Sequence, residues 1–392
     1  MLKWAQGAVA AVTGSAEPIY GAEAFMSVDK TVAGRNPYGK LEKADLAWEQ
    51  PPQAHVETQT FYFTDPKSNY YGFCQLIHSN PVNLAFTSQF TFLLKKRDNP
   101  DFKLWTSTRL SGATVVEDED KTNFSADNFS ITLNETADEY EFKSTVNPES
   151  EVNLVFKRVG EGFKIGADGT SRYGEDLAQP WGTMRHVFWP RLDISGTIKT
   201  ADDMITLDHS QGLYVMALQG MKPHHAAASW NFCNFQGPTV SVVVMEFTTP
   251  VSYGSSRSAI GAIHHNGELI ATCTGTTTEH VDPTADEVGW PAPKAIKFAL
   301  EGPKPGVPNA QINDPENIVK AKVSGELNYL VDRVDVLAEI PAFVKRVVNN
   351  VSGANPYIYQ YMNDMDVEVE VDGETIKEKG VGYVEVTFIS ET

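Results

Sequence analysis

The residues best suited to hold a small molecule lie around Trp189. Arg185, His186 and Arg191 flank this indole, and each Arg offers a planar fork of hydrogen-bond donors. Such a polar group beside aromatic rings is typical of a lipid headgroup site, and the alternative is a structural cluster where two domains meet. A second aromatic run follows further along the chain. We therefore predict a ligand-binding set of Arg185, His186, Trp189, Arg191, Trp230 and Phe232.

Other site chemistry is not predicted. His224-His225 and His264-His265 are adjacent pairs, and neighbouring side chains on a strand point to opposite faces, a spacing that does not chelate. The sequence has no Gly-x-Ser-x-Gly elbow, P-loop, His-Glu-x-x-His or Gly-x-Gly-x-x-Gly motif. Carboxylates lie mostly in turns, and no two can be assigned as acid and base. We therefore expect no catalytic residue, no metal and no cofactor.

The charge balance narrows the choice of partners. The 392 residues carry 51 Asp and Glu against 32 Lys and Arg, a formal charge of −19. Phosphate backbones repel so acidic a protein, which argues against nucleic acid as a partner. The three cysteines, Cys74, Cys233 and Cys273, do not make a disulfide framework and indicate half-buried thiols in a reducing compartment.

Aromatic and β-branched runs separated by Gly and Pro predict an all-β protein. A chain of 392 residues is long for a single core, so two domains are expected. Residues 181–236 lie midway and have the features of one unit ending and another beginning. We therefore predict a first domain over residues 19–220 and a second over residues 221–392, preceded by a helix over residues 1–18.

The two units resemble each other in the order of their motifs. The hairpin pattern of residues 61–78 is matched to residues 244–264, and Thr-Ile-Lys at 197–199 is matched to Thr-Ile-Lys at 375–377. A repeat of this length indicates duplicated domains. Closure into a barrel protects the edges of an antiparallel meander, and a barrel of about eight strands can hold one small apolar ligand.

The first fourteen residues have an amphipathic pattern. At ~100° per residue the apolar side chains share one face, opposite small polar residues and one Lys. A signal peptide, a helix docked on its own domain and a membrane-surface helix are the alternatives, and the apolar run Ala8–Val12 is too short for the first. We favour weak, reversible membrane binding. The side chains expected to insert are Met1, Leu2, Trp4, Ala5, Val9 and Val12.

Two stretches of the second unit are predicted to lie outside its sheet. Residues 283–315 are rich in Pro and are expected to form a long excursion. Pro341 and Gly353 suit the two ends of a short helix over residues 340–353, whose Val-rich face would pack on the outside of a barrel. No apolar run approaches the ~18 residues that span a bilayer.

Several stretches resemble the fungal survival-factor family. They are the opening Met-Leu-Lys-Trp with Ala-Val-Thr-Gly-Ser-Ala-Glu-Pro-Ile-Tyr-Gly, residues 55–80 with Phe-Tyr-Phe-Thr-Asp and Ile-His-Ser-Asn, Ser-Gln-Phe-Thr-Phe from Ser88, and Met-Arg-His-Val-Phe-Trp-Pro-Arg at 184–191. The likeness covers nearly the whole chain. It implies two tandem lipocalin-like (calycin-type) antiparallel β-barrels and an N-terminal amphipathic helix that binds membranes, helped by acetylation of Met1.

The same resemblance implies a function. The chain would be a cytoplasmic carrier, peripheral on endoplasmic reticulum and Golgi membranes, that binds ceramide or a similar lipid. It would move the lipid from endoplasmic reticulum to Golgi without vesicles and support survival under oxidative and cold stress. We expect a monomer, with a nuclear fraction as a further expectation. The alternatives are a hydratase- or isomerase-like enzyme of an apolar lipid, suggested by a more distant likeness to carotenoid hydratase-type proteins, and a binding protein with filled barrels. We favour the carrier, which needs no catalytic group.

Overall fold

The computed structural model describes residues 19–80, 86–116, 119–221, 223–336 and 355–390. Within these ranges the secondary structure is almost entirely strand, and every strand pair is antiparallel. The prediction of an all-β chain with two tandem barrels is confirmed. The two predicted helices, over residues 1–18 and 340–353, lie outside the described residues.

The first barrel is built from one large sheet. Its strands are β1 (Phe25–Met26), β2 (Tyr38–Lys40), β3 (His55–Thr64), β4 (Tyr70–Asn80), β5 (Thr87–Lys96), β6 (Asn99–Arg109), β7 (Thr114–Val115), β8 (Phe124–Ala126), β9 (Phe129–Leu133), β10 (Glu139–Ser144), β11 (Glu151–Arg158), β12 (Phe163–Ile165), β13 (Thr170–Tyr173), β14 (Gly182–Lys199) and β15 (Met204–Gln219). The main path runs β6-β5-β4-β3-β15-β14-β11-β10-β9-β8-β7. The last strand of this barrel, β15, therefore pairs with its first long strand, β3.

The second barrel repeats this arrangement. Its strands are β16 (Ser229–Gln236), β17 (Val240–Thr248), β18 (Arg257–His265), β19 (Glu268–Thr274), β20 (Thr277–Val281), β21 (Thr284–Ala285), β22 (Pro291–Ala292), β23 (Ala295–Pro303), β24 (Ile318–Glu326), β25 (Leu330–Asp335), β26 (Tyr357–Val371) and β27 (Glu374–Phe388). The main path runs β19-β18-β17-β16-β27-β26-β24-β23-β20, and β25 adds to β26. The short pair β21–β22 stands apart.

The two paths correspond strand by strand, which corrects the residue matches of the predicted repeat. β3 and β16 hold the same place, because each pairs with the last strand of its own barrel. The hairpin at 61–78 belongs to β3–β4, whereas its match at 244–264 belongs to β17–β18, one strand further along. The Thr-Ile-Lys at 197–199 ends β14, but the one at 375–377 begins β27. Aromatic and β-branched runs recur in every strand, so short matches do not fix the register.

Alternation along each strand separates the barrel interior from its outer face. On β3 the side chains of Glu57, Gln59, Phe61 and Phe63 face inward and are buried, while Tyr62 faces outward. The interior of the first barrel is unusually rich in aromatic rings. The fully or almost fully buried ones are Trp48, Phe61, Phe63, Phe90, Phe92, Phe124, Phe129, Tyr140, Phe142, Phe156, Trp189 and Tyr214.

The outer faces of the two barrels pack against each other. Tyr62 of β3 contacts the rings of Phe232 and Tyr383, with centroids 5.6 and 4.9 Å away, and Phe73 contacts Tyr383 at 6.2 Å. All four are buried. Apolar side chains of β17 and β18 complete this shared core. The second barrel therefore joins the first through a hydrophobic interface as well as through the chain.

Residues 19–52 form an arm that lies against both barrels. Asn36 donates to the carbonyls of Lys304 and Val307, and the Tyr20 amide donates to the Ser252 carbonyl. Short helices occur in this arm and in later loops. The 3-10 helices are Ala22–Ala24, Lys43–Leu46, Val251–Tyr253, Asn309–Gln311 and Pro315–Asn317, and the single-turn α-helices are Val28–Thr31 and Pro223–Ala226.

The prediction of a long excursion over residues 283–315 was wrong. The stretch contains β23, which pairs with β20 and β24, and the short pair β21–β22. Ile296, Phe298 and Leu300 alternate with exposed residues and fill the second core. Pro291 opens its strand and Pro303 closes β23, positions where the missing amide hydrogen costs little.

The long strand β14 bends at two places. Its pairing with β15 shifts between Trp189 and Leu192, around Pro190, and again between Ile194 and Gly196. Gly196 has φ +125°, and a Cβ there would lie 2.2 Å from the Asn153 carbonyl oxygen, so only glycine fits. The first bend carries Arg191 away from the first barrel and toward the second.

Candidate functional site in the first barrel

A cluster of polar side chains occupies one end of the aromatic interior. We call it the polar cluster; its members are Trp48, His55, Glu57, Gln59, His78, Tyr140, Arg185, Trp189 and Tyr214. Each is at most 7 % exposed. The strand register brings these residues close together. Glu57 of β3 pairs with His78 of β4, and on its other side with Leu218 of β15. Leu218 in turn pairs with Arg185 of β14. Gln59 comes next along β3, and Trp189 pairs with Tyr214 below it.

A short segment before β3 closes this end of the barrel. The buried Glu57 carboxylate accepts the backbone N–H of Glu49 at 2.7 Å and that of Gln50 at 2.9 Å. Gln50 has φ +43°, a left-handed conformation that costs a non-glycine residue energy. Between the Lys43–Leu46 helix and this turn, Trp48 inserts its indole into the core at 2 % exposure. Glu57 therefore fastens the plug segment, residues 43–50, over the interior.

Arg185 fastens the same segment from β14. Its Nη2 donates to the Asp45 carbonyl oxygen at 2.8 Å, and its Nε lies 3.3 Å from Glu49 Oε1. Lys164 Nζ lies 2.6 Å from Asp45 Oδ1, so two cations share this buried carboxylate. Arg and Asp side chains that are 8 to 12 % exposed are screened little by solvent. The ion pairs place Arg185 as a structural anchor of the plug segment.

Two histidines stand at the mouth of the barrel beneath Phe86. His55 Nδ1 lies 2.8 Å from the Gln53 carbonyl oxygen, so Nδ1 carries a hydrogen and donates it to that oxygen. His78 Nδ1 is 2.8 Å from Ser88 Oγ, and its ring stacks on Phe86, with centroids 4.9 Å apart. Burial, with His55 nearby, lowers the pKa of His78 to about 4. The His78 ring is therefore a neutral hydrogen-bonding group near neutral pH.

Several polar atoms of the cluster have no hydrogen-bond partner within the described part of the chain. They are Trp48 Nε1, His55 Nε2, Gln59 Oε1, Gln59 Nε2, His78 Nε2 and Trp189 Nε1. A buried polar group without a partner costs ~1–3 kcal/mol, so such groups are rare in a well-packed interior. This set offers both donors and acceptors. It is suited to a neutral molecule that carries hydroxyl or amide groups.

At the inner end of the polar cluster the barrel wall is aromatic. Tyr140 and Tyr214 approach each other with hydroxyl oxygens 3.3 Å apart, and Trp189 packs on both rings. Phe61 lies on Phe156 with centroids 4.7 Å apart. Burial raises the pKa values of both tyrosines well above the ordinary value, so both stay protonated. The interior thus changes from neutral hydrogen-bonding groups to hydrocarbon along the barrel axis.

Glu57 is the group in the cluster whose ionisation is most relevant near neutral pH. Burial raises its pKa to about 7, although two backbone N–H groups oppose the shift. A carboxyl with this pKa can serve as a general acid or base. Here, however, each of its oxygens already accepts a hydrogen bond from the plug segment. The arrangement therefore favours fastening the plug over proton transfer to a ligand.

The second barrel and the groove beside it offer less. The second interior is filled mostly by Val and other aliphatic side chains, with fewer aromatic rings than the first. It also holds two cysteines, Cys233 and Cys273, whose pKa values burial raises. An open groove of about 760 Å³ lies between Tyr71 and Arg97 of the first barrel and the outer face of β23, β24 and β26. Its rim is charged.

Among the described residues no three or more His, Cys, Asp or Glu side chains converge as metal ligands, and none of the described helices is long and apolar enough to cross a bilayer.

The structure brings two of the six predicted ligand residues together. Arg185 and Trp189 share the inner face of β14 in the polar cluster. His186, on the opposite face, is buried beside Phe188, and burial with the Arg185 charge lowers its pKa to about 4. Arg191 leaves the first barrel and donates to the Gly237 carbonyl at 2.8 Å.

The other two predicted residues lie in separate places. Phe232 belongs to the core between the barrels, and half-buried Trp230 packs near Phe25 and Tyr173. A ligand role for the six residues stays a prediction. The predicted membrane residues Met1, Leu2, Trp4, Ala5, Val9 and Val12 lie outside the described part of the chain.

Three residues of the polar cluster that the predicted ligand set does not include could have been found from the sequence. His55, Glu57 and Gln59 occupy every second position before Phe61 and Phe63. On a strand these residues share one face, so polar groups precede core aromatics on the inner side. Trp48 has no such signal, because it lies in an irregular segment.

Comparison with known proteins gives a family. The profile of the Svf1 family matches residues 2–390. A protein named ceramide-binding protein SVF1 from Yarrowia lipolytica is 49 % identical over 399 residues, covering 100 % of both chains. The Candida albicans protein of that name is 46 % identical, and the Neurospora crassa ceramide-binding protein svf-1 is 44 % identical, each with 100 % of both chains covered.

Solved structures share the fold at low sequence identity. CghA with Sch210972 has a TM-score of 0.62 and 10 % identity, over 94 % of this chain and 98 % of that one. Kievitone hydratase from Nectria haematococca has a TM-score of 0.55 and 12 % identity, over 90 % and 94 %. At these identities the likeness describes the two-barrel fold alone.

Proposed function

The chain belongs to the Svf1 family, and we propose that it binds ceramide and carries it between membranes. The observation that carries the proposal is that relatives 44 to 49 % identical along their whole length are named ceramide-binding proteins. Ceramide has an uncharged head with hydroxyl and amide groups and two hydrocarbon chains. A carrier for it needs neutral hydrogen-bonding groups beside apolar surface, and no charged partner.

The polar cluster supplies those groups. The Gln59 carboxamide offers a donor and an acceptor, and the Trp48 and Trp189 indoles offer donors, all without partners among the described residues. The aromatic wall below suits a hydrocarbon chain, whose removal from water is worth ~0.8 kcal/mol per CH₂. We propose that the head binds among these groups once the plug segment opens. The interior is closed by Trp48 in the described conformation, so uptake includes movement of residues 43–50.

Binding is tested by native mass spectrometry after incubation of the full chain with ceramide-containing vesicles. We expect one ceramide per chain, and no adduct with sphingomyelin, because its charged phosphocholine head would enter a buried site at a high desolvation cost. Equal adducts with both lipids would contradict the assignment of the head to the polar cluster. No adduct with either would contradict ceramide binding itself.

Carriage without turnover is the second part of the proposal. Both Glu57 oxygens are engaged by the plug segment, which supports binding over catalysis. Ceramide extracted after prolonged incubation should be chemically unchanged by liquid chromatography and mass spectrometry. A shift of 18 Da would instead favour the hydratase alternative.

We further propose the cellular setting that the family resemblance implies. The chain would act in the cytoplasm on endoplasmic reticulum and Golgi membranes, with residues 1–18 as its reversible membrane contact. It would move ceramide between the two without vesicles and thereby support survival under oxidative and cold stress. Vesicle-to-vesicle transfer of fluorescent ceramide tests the physical step. Equal rates with and without residues 1–18 would refute the role of that segment.

A further inference from the structure

Three residues with exposed apolar side chains lie in adjoining segments on the surface of the folded body. Among the described residues six large hydrophobic side chains are exposed, and three of them, Ile19, Trp181 and Val251, come from distant parts of the sequence. They are 72 %, 42 % and 55 % exposed. We call these three residues the Trp181 patch. Single exposed apolar residues are ordinary, but a group of them marks an interaction surface.

Contacts beneath the patch hold the three residues together. The Tyr20 and Gly21 amides donate to the Ser252 carbonyl at 2.8 and 3.0 Å, which joins Ile19 to Val251 through their neighbours. The Tyr20 ring lies 4.9 Å from Trp181 and stacks on Tyr253 at 5.1 Å. Trp181 Nε1 donates to the Tyr253 hydroxyl at 2.9 Å. The patch is therefore built on a fixed base that spans both barrels.

The chemistry of the patch favours an uncharged lipid surface. The three segments that form it, residues 19–23, 174–181 and 250–256, contain no Lys or Arg and carry Glu23, Glu175 and Asp176. Anionic lipid would be repelled. An indole with a satisfied N–H beside aliphatic side chains suits the zone between lipid headgroups and hydrocarbon.

The position of the patch in the chain and in the barrel indicates its occupant. Ile19 directly follows residues 1–18, whose amphipathic pattern predicts membrane binding, so that segment leaves the body at the patch. Trp181 precedes β14, and Arg185 lies four residues later, ~13 Å along the strand. The patch and the mouth of the first barrel thus lie at the same end.

We propose that Ile19, Trp181 and Val251 form a second bilayer contact, made by the folded body at the base of residues 1–18. The contact takes zwitterionic lipid and turns the mouth of the first barrel toward the membrane. The choice of a bilayer as occupant rests on the proposed membrane contact of residues 1–18. It does not depend on ceramide, so the test below uses vesicles without ceramide.

The test places an environment-sensitive fluorophore on the patch of the full chain. The three native cysteines are buried, so a new thiol in Val251→Cys reacts selectively. Met204→Cys is the matched control, because Met204 is 56 % exposed and lies at the far end of the β14–β15 pair. With phosphatidylcholine vesicles we expect the Val251 label to shift to shorter wavelength and brighten several-fold, and the Met204 label to stay unchanged. Added phosphatidylserine should weaken the response.

Three outcomes would overturn the proposal. An unchanged Val251 label on chains that float with vesicles would mean that residues 1–18 alone make the contact. A label already shielded before vesicles are added would mean that the chain itself covers the patch. If the chain does not float with the vesicles, neither residues 1–18 nor the Trp181 patch binds the membrane. As a second measurement, Trp181→Ser should lower vesicle partitioning about tenfold, as expected for one large apolar side chain, and Met204→Ser should not.

Discussion

Gln59 shows how one side chain can matter more for binding than for folding. It lies on the inner face of β3, fully buried near the Tyr140 hydroxyl, and neither end of its carboxamide makes a hydrogen bond of good geometry with a described residue. An unpaired amide in a protein interior destabilises the folded state by ~1–3 kcal/mol. Its presence in a hydrophobic barrel is therefore best explained by the ligand that it would contact.

Replacing Gln59 by Leu should separate these two effects. We expect ceramide affinity to fall about tenfold, as one or two neutral hydrogen bonds are lost, while the free energy of unfolding stays the same or rises. The checks are ligand titration and thermal unfolding. Gln360→Leu is the matched control, because Gln360 is buried on the outer face of the second barrel and donates to Glu385 at 3.1 Å. It should reduce stability and leave affinity unchanged; the reverse pattern would contradict the role of Gln59.

Glu57 should make stability depend on pH. Burial raises its pKa from an ordinary 4.5 to about 7, so between these values the folded chain holds the proton more tightly than the unfolded chain. The contribution of this carboxyl therefore falls as pH rises through that window, by ~3 kcal/mol in all. Burial lowers the pKa values of His78 and His186 from an ordinary 6.5 to about 4. Their contribution to stability therefore rises with pH between these two values.

The comparison of wild type with Glu57→Gln isolates the carboxyl, since the histidines are common to both. Chemical denaturation at pH 5 and pH 8 should show wild type losing stability relative to the variant as pH rises. A difference in unfolding free energy that is the same at both pH values would contradict the raised pKa.

At the scale of elements, the packing of the plug segment over the barrel could not be predicted from the sequence. The β3–β4 hairpin was predictable, because Asp65-Pro66 and Asn69 mark its turn between two alternating runs. The inner face of β3 followed from alternation alone. Trp48 is held in the core because Glu57 and Arg185 bind the residues on either side of it. Glu57 and Arg185 lie on β3 and β14, the two strands that flank β15. Contacts over such sequence distances leave no local pattern.

Hydrogen exchange should reveal the fastening of the plug segment. The Glu49 and Gln50 amides lie in a turn, yet both donate to the buried Glu57 carboxylate, so we expect slow exchange. Glu57→Leu should make both exchange rapidly. Glu378→Leu provides the counterpart in the second barrel, where the Glu378 carboxylate accepts the Thr239 and Val240 amides. Each variant should release its own pair of amides; release of both pairs by either variant would indicate general unfolding instead.

At the scale of the molecule, two similar barrels have acquired different interiors. Strand order corresponds position by position, yet the first interior is aromatic with a polar end and the second is filled by smaller apolar side chains. The family resemblance predicted the pair of barrels, and the sequence repeat predicted duplication. Neither indicated which barrel has polar side chains clustered at one end of its interior, because that depends on register between distant strands.

The shared core between the barrels should make them unfold together. Tyr383 contacts Tyr62, Phe73 and Phe232, so Tyr383→Ala should cost ~3–5 kcal/mol and weaken the coupling. Calorimetry should give one transition for wild type and a broadened or split one for this variant. Tyr361→Ala, within the second core, should lower the melting temperature without splitting the transition. Two transitions in wild type would contradict coupling.

The pairing of the first and last long strands within each barrel also bears on synthesis by the ribosome. β15 is complete before β16 begins, so the amino-terminal barrel can close while translation continues. β16 then has an open hydrogen-bonding edge until β27 emerges, the last strand to be made. Chaperones that recognise nascent chains should accordingly associate with the carboxyl-terminal barrel for longer than with the amino-terminal one.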